Sequence, residues 1–169
     1  MDAVNMNFLV LALAALIPLV MGFLWYNPKV MGNAWIKSTG LAEEELRKTN
    51  MAVIFIMTYI FSFLIAMALM PMVIHQFGVM SVFVGETGFN DPNSEPFKEF
   101  SGLMAKYGTR FRTFKHGMLH GCIASIFFAL PILGINALFE RKSAKYILIH
   151  LGYWFITLGL MGGVICQFN

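Results

Sequence analysis

MAVIFIMTYIFSFLIAMALMPMVIHQF, residues 51–77, runs for 27 residues without one Asp, Glu, Lys or Arg. A helix needs about 20 apolar residues, at ~1.5 Å of rise each, to cross a ~30 Å hydrocarbon layer, so this stretch is long enough to span a bilayer. Three more stretches read the same way, at 7–26, 116–139 and 146–168. All 12 Lys and Arg and all 9 Asp and Glu lie outside the four, which leaves histidine as the only side chain within them that titrates near neutral pH. The expected fold is an all-α four-helix transmembrane bundle forming a single integral membrane domain over residues 1–169. A carboxylate or ammonium at depth usually marks a proton relay or ion pathway, and these spans have neither. Carboxylate-driven pumping and intramembrane hydrolysis with a carboxylate base are therefore excluded, and no catalytic residue is expected.

The bulk composition agrees. With 58% hydrophobic residues and 169 in all, too little polar sequence remains for a separate soluble domain. The formal charge of +3 sits in short connections beside the spans, where cations act as topology signals and headgroup contacts rather than as a nucleic-acid surface. Only Asp2 is charged before the first span and no small-x-small cleavage site follows, so that span is expected to be retained. Cys122 and Cys166 match no disulfide, zinc or thioredoxin spacing and read as small apolar packing residues.

The first span closes at Trp25, Tyr26, Asn27 and Pro28, amphipathic rings suited to the headgroup boundary followed by a residue that cannot continue the helix. Lys29 to Lys37, with Trp35 among its apolar members, has the pattern of a short interfacial helix. Glu43 with Arg47 and Glu44 with Lys48 are i, i+4 pairs that support a solvated helix toward the second span. In the second connection, 85–94 is rich in turn residues, and Phe97, Phe100, Leu103, Met104 and Tyr107 recur at helical spacing. Asp91, Asn93 and Glu95 begin like a calcium loop, but Pro96 and Gly102 stand where its glycine and bidentate glutamate belong. Arg110, Arg112 and Lys115 alternate with Phe111 and Phe114 and are expected at the membrane interface. The first and third connections hold seven Lys and Arg against five in the second, so the positive-inside rule places both termini and the second connection outside.

Gly117, Gly121, Ser125 and Ala129 line one face of the third helix, while Gly159 and Gly163, with Gly152 two turns back, mark the fourth. Membrane helices associate through such small faces, and a six-residue turn already makes these two neighbours, so the faces are expected to meet within the chain. Pro18, Pro71 and Pro131 should each kink a span, with the freed carbonyls answered by neighbouring helices. The similar segments around Pro18 and Pro131 hint at two parallel hairpins related by a pseudo-two-fold axis.

Three histidines draw attention. His75 ends the second span while His116 and His120 open the third, so all three approach one membrane face, and the latter two sit one turn apart. That spacing can present two imidazoles to one metal, and Cys122 and Cys166 lie at a depth where they could complete a zinc, copper or haem-iron site. The plainer reading has boundary histidines bonded to water, headgroups or carbonyls, with no cofactor. His150, on the opposite side, is expected to bridge to Asn136 or Glu140 of the hairpin partner.

At WYNPKVMGNAWIKSTGL (Trp25 to Leu41), GINALFERKSAKYILIHLGYW (Gly134 to Trp154) and LMGGVI (Leu160 to Ile165) the chain resembles the small bacterial membrane proteins called domain of unknown function 1761. The resemblance implies a multi-spanning membrane protein and carries over no catalytic residue; the expected location is the bacterial inner membrane. The leading expectation is a binding or assembly component, working as a homo-oligomer or as an accessory subunit of a membrane complex. The alternatives are a transporter or channel for a small neutral or weakly basic solute, and a metal- or haem-binding membrane protein.

Overall fold

The structure, a computed structural model, describes residues 4–40 and 50–169. The Glu43–Arg47 and Glu44–Lys48 pairs lie outside the described residues. The first span comprises α1 (Phe8–Ala14) and α2 (Ile17–Trp25), followed by a π-helical turn (Pro28–Gly32) and α3 (Asn33–Thr39). The second span is α4 (Met51–Val73), and the second connection carries α5 (Gln76–Phe83) and α6 (Glu95–Tyr107). The third span joins α7 (Phe114–Ala124), a π turn (Ser125–Ala129) and α8 (Leu130–Phe139), and the fourth is α9 (Ala144–Phe168). Four of these segments are long and apolar enough to cross a membrane, and no strand occurs among the described residues. The protein is an all-α, multi-pass membrane protein.

Each proline is accommodated differently. Before Pro18 the helix breaks at Ala15–Leu16: the Leu16 N–H turns to Leu13 O (3.1 Å), and the Tyr59 hydroxyl of α4 donates to Ala12 O (3.3 Å). Pro131 lacks the N–H that would reach back four residues, and the π turn directly precedes it. Pro71 is held inside α4, which ends two residues later.

That end corrects the expected extent of the second span, which does not run on to Phe77. Ile74 is extended (φ −115°, ψ 95°) and His75 caps a separate helix. The departure is stabilised by Gln76, whose buried side chain donates to Tyr107 O (2.9 Å) and Arg110 O (3.0 Å) in the second connection. In the same connection Phe89 and Phe100, with Phe83 packed on them, form a small core that Val4 of the N-terminal segment completes. Asp91 and Ser94 act there as turn and cap: Asp91 accepts from Asn93 N (2.9 Å) and Ser94 from Phe97 N (3.3 Å).

The third and fourth spans meet backbone to backbone. A methyl at Gly117 would stand 2.1 Å from Gly162 O, and one at Gly121 2.0 Å from Leu158 O. Gly159 lies under Cys122 and Met118, Gly163 under the Phe114 ring, and Ser125 is fully buried. Gly152 departs from the expected face: its neighbour is the Trp25 indole (2.8 Å), which wedges in from the first span.

The rings at the end of the first span turn inward onto the start of the fourth. Trp25 donates to Ile149 O (3.1 Å), Tyr26 pairs with His150 Nδ1 (2.8 Å), and Tyr153 donates to Pro18 O (2.8 Å). Trp35 of α3 meets Tyr26 edge to face, with ring centroids 5.3 Å apart. The partner of His150 is therefore Tyr26, not Asn136 or Glu140.

Candidate metal centre

The close seam between α7 and α9 sets the direction of the histidines. Residues 116 and 120 are each one position before a seam glycine, about 100° around a 3.6-residue helix. With Gly117 and Gly121 pressed onto α9, His116 and His120 turn toward the end of α4. Thr113 fixes the start of that helix by accepting from His116 N (3.3 Å). From the other side the break at Ile74 delivers His75.

The three imidazoles converge. His75 Nε2 and His116 Nε2 are 2.9 Å apart, the ring centroids lie 4.5 to 5.0 Å from one another, and one ring nitrogen from each falls within a 4.8 Å group. His75 is exposed and the other two are half-buried, so the cluster opens to the surface. No carboxylate or thiol joins it among the described residues.

Both cysteines lie apart, which corrects the expectation that they complete the site. Cys166 is buried with its Sγ donating to Val73 O (3.2 Å) and Phe111 O (3.3 Å), and Cys122 Sγ donates to Phe155 O (3.7 Å). The small thiols answer carbonyls at helix contacts, as packing residues do.

Phe111, which the sequence suggested only as part of a basic and aromatic run, forms the roof. It has φ +64°, a left-handed conformation uncommon for a bulky residue, and its ring stacks on His116 at 5.0 Å with 19° between planes. It also meets His75 edge to face at 6.4 Å. Local strain of order 1–3 kcal/mol persists where surroundings over-determine it, and such positions cluster at functional sites. Arg110 lies over the outer side of Phe111 (5.6 Å). Arg112, expected among headgroups, instead donates to Cys166 O (3.1 Å) and Asn169 O, so its charge completes the carboxyl end of α9. Lys115 remains exposed.

The matching family model, described as "Protein of unknown function (DUF1761)", covers residues 9–166. The chain belongs to the DUF1761 family. The matched range takes in the second connection and all three histidines of the cluster. No curated protein and no solved structure matches the chain. In this DUF1761 protein the residue that sequence reasoning missed is Gln76, because its role depends on carbonyls some thirty positions later. Gln76→Leu is expected to leave those carbonyls unpaired and destabilise the protein by about 1–3 kcal/mol, read as a lower melting temperature in detergent.

Proposed function

We propose that the chain is a metal-binding membrane protein in which His75, His116 and His120 hold one divalent transition-metal ion at the bilayer boundary. The convergence of three imidazole nitrogens within 4.8 Å carries the reading. Tetrahedral zinc with Zn–N bonds of ~2.0–2.1 Å sets its ligand nitrogens about 3.4 Å apart, so the 2.9 Å pair opens slightly and the third ring closes in. Imidazole suits zinc, copper and nickel, and three protein ligands leave a fourth position for water or a small ligand. This reading replaces the expectation of no cofactor with the metal alternative and keeps the chain a binding component rather than an enzyme.

The packing of the bundle favours binding over solute transport. Leu11, Ala14, Ala66, Met161 and Ile165 are fully buried in one apolar cluster that fills the bundle on the histidine side. The small faces of α7 and α9 meet each other within the chain, which supports the intramolecular reading of that repeat. The test is equilibrium dialysis of metal-free protein in mild detergent against zinc, with elemental analysis. One zinc per chain is expected, and none in the variant carrying His75→Ala, His116→Ala and His120→Ala at unchanged helical circular dichroism. Equal zinc in that variant overturns the reading.

A further inference from the structure

The bundle is packed at the histidine end and open at the other. From Met51 to Phe61 no residue of α4 is buried, whereas Ala66, Leu69, Met70 and Val73 all are. The first span diverges from α4 over the same half, and α9 closes the back with Tyr153 and Trp154. The result is a lateral groove of about 1130 Å³, above the ~300–1,000 Å³ usual for small-molecule sites. Its wall along α4 runs from Met51 to Ile65, about 21 Å at ~1.5 Å per residue. A leaflet contributes about half of the ~30 Å hydrocarbon layer, so the groove is as long as one lipid chain plus its boundary region. A compact solute has no use for that length.

The mouth supplies the second half of the argument. Asn27 and Pro28 line it, and exposed Lys29 follows directly. Among the described residues, the connections on this face hold five Lys and Arg (Lys29, Lys37, Arg141, Lys142 and Lys145) against Glu140 alone. On the opposite face the second connection, 78–115, nearly balances, with five Lys and Arg against four Asp and Glu. Anionic headgroups are drawn to such a surface by roughly 1 kcal/mol per cation.

We propose that this groove is a binding site for one anionic phospholipid, its acyl chain lying between the first and second spans and its phosphate at the cationic mouth beside Lys29. Gly22 forms part of the wall, and a methyl there would meet nothing nearer than 3.9 Å, so a large side chain enters the groove without striking backbone.

The test is native mass spectrometry of the detergent-solubilised protein with phosphatidylglycerol or phosphatidylcholine added. The wild type is expected to keep one phosphatidylglycerol per chain at collision energies that strip phosphatidylcholine. Gly22→Phe should lose that lipid at least tenfold, and Lys29→Gln should weaken the preference for the anionic headgroup about fivefold, as the loss of one cation implies. Should Gly22→Phe misfold, Thr58→Phe fills the facing wall and replaces it. Equal retention of both lipids overturns the proposal, as does undiminished phosphatidylglycerol in the filled variants. A second copy of the chain, or an uncharged isoprenoid, recovered in the groove's place overturns it too. Circular dichroism and melting temperature report folding independently of the groove.

Discussion

Gly121→Leu is expected to abolish folding of the bundle, read as loss of the cooperative thermal transition in detergent and of monodisperse elution. The obstacle is backbone: a Cβ at Gly121 would lie 2.0 Å from Leu158 O, 2.5 Å from Leu158 C and 2.9 Å from Gly159 Cα. None of these can rotate away, so α7 and α9 must separate. Overpacking a core costs ~1–3 kcal/mol where side chains can yield, and here they cannot, so the cost is at or above the top of that range. In lipid the loss is compounded, because close approach is itself what holds such helices together. Gly121→Ala should show the same sign with a smaller effect. The control is Gly134→Ala in α8, where nothing lies within 4 Å of the new methyl. There the change should be neutral or stabilising by up to ~1 kcal/mol, from helix propensity alone. Equal melting temperatures for Gly121→Leu and Gly134→Ala would rule the seam out as the element that sets the fold.

The residues of this seam also show how far the sequence could be read. Gly117, Gly121, Gly159 and Gly163 are legible because a four-residue repeat of small side chains places them on one helix face whatever lies opposite. Gly162, which faces Gly117 across the seam, is hidden by standing next to Gly163. Gly152 continues the face of Gly159, but what occupies that height is the Trp25 indole, a fact of the first span's tilt that no pattern within α9 encodes. The histidines follow the same division. That His75, His116 and His120 reach one face follows from counting spans. That they converge depends on the extended Ile74, on Gln76 and on the left-handed Phe111, all loop geometry with no periodic signature. His150 departs from expectation for a related reason: sequence proximity points to a partner along the hairpin, whereas the inward turn of Tyr26 supplies another.

Zinc should raise the melting temperature of the wild type and leave variants of the trio nearly unmoved. A ligand that binds only the native state stabilises it by RT ln(1 + [L]/Kd), about 2.7 kcal/mol at a hundredfold excess over Kd. At roughly 2–4 °C per kcal/mol for a chain of this length, that is a rise of about 5–10 °C. Even outer-shell partners are worth about 10–100-fold in metal affinity, so loss of a direct ligand in His120→Ala should cost at least the upper figure. At the same zinc concentration the stabilisation then falls to about 0.4 kcal/mol, a shift of about 1 °C. Phe111→Gly separates the roof from the ligands. Glycine adopts φ +64° freely, so the metal-free variant should melt no lower than the wild type, while the zinc-induced rise shrinks because His116 has lost the ring that holds its plane. If Phe111→Gly kept the full rise, the strain at 111 would serve only the chain reversal between α6 and α7. If His120→Ala kept it, the two remaining imidazoles would suffice and His120 would not be a ligand. The pair of variants thus tells a metal-holding trio from three histidines that merely share a membrane face.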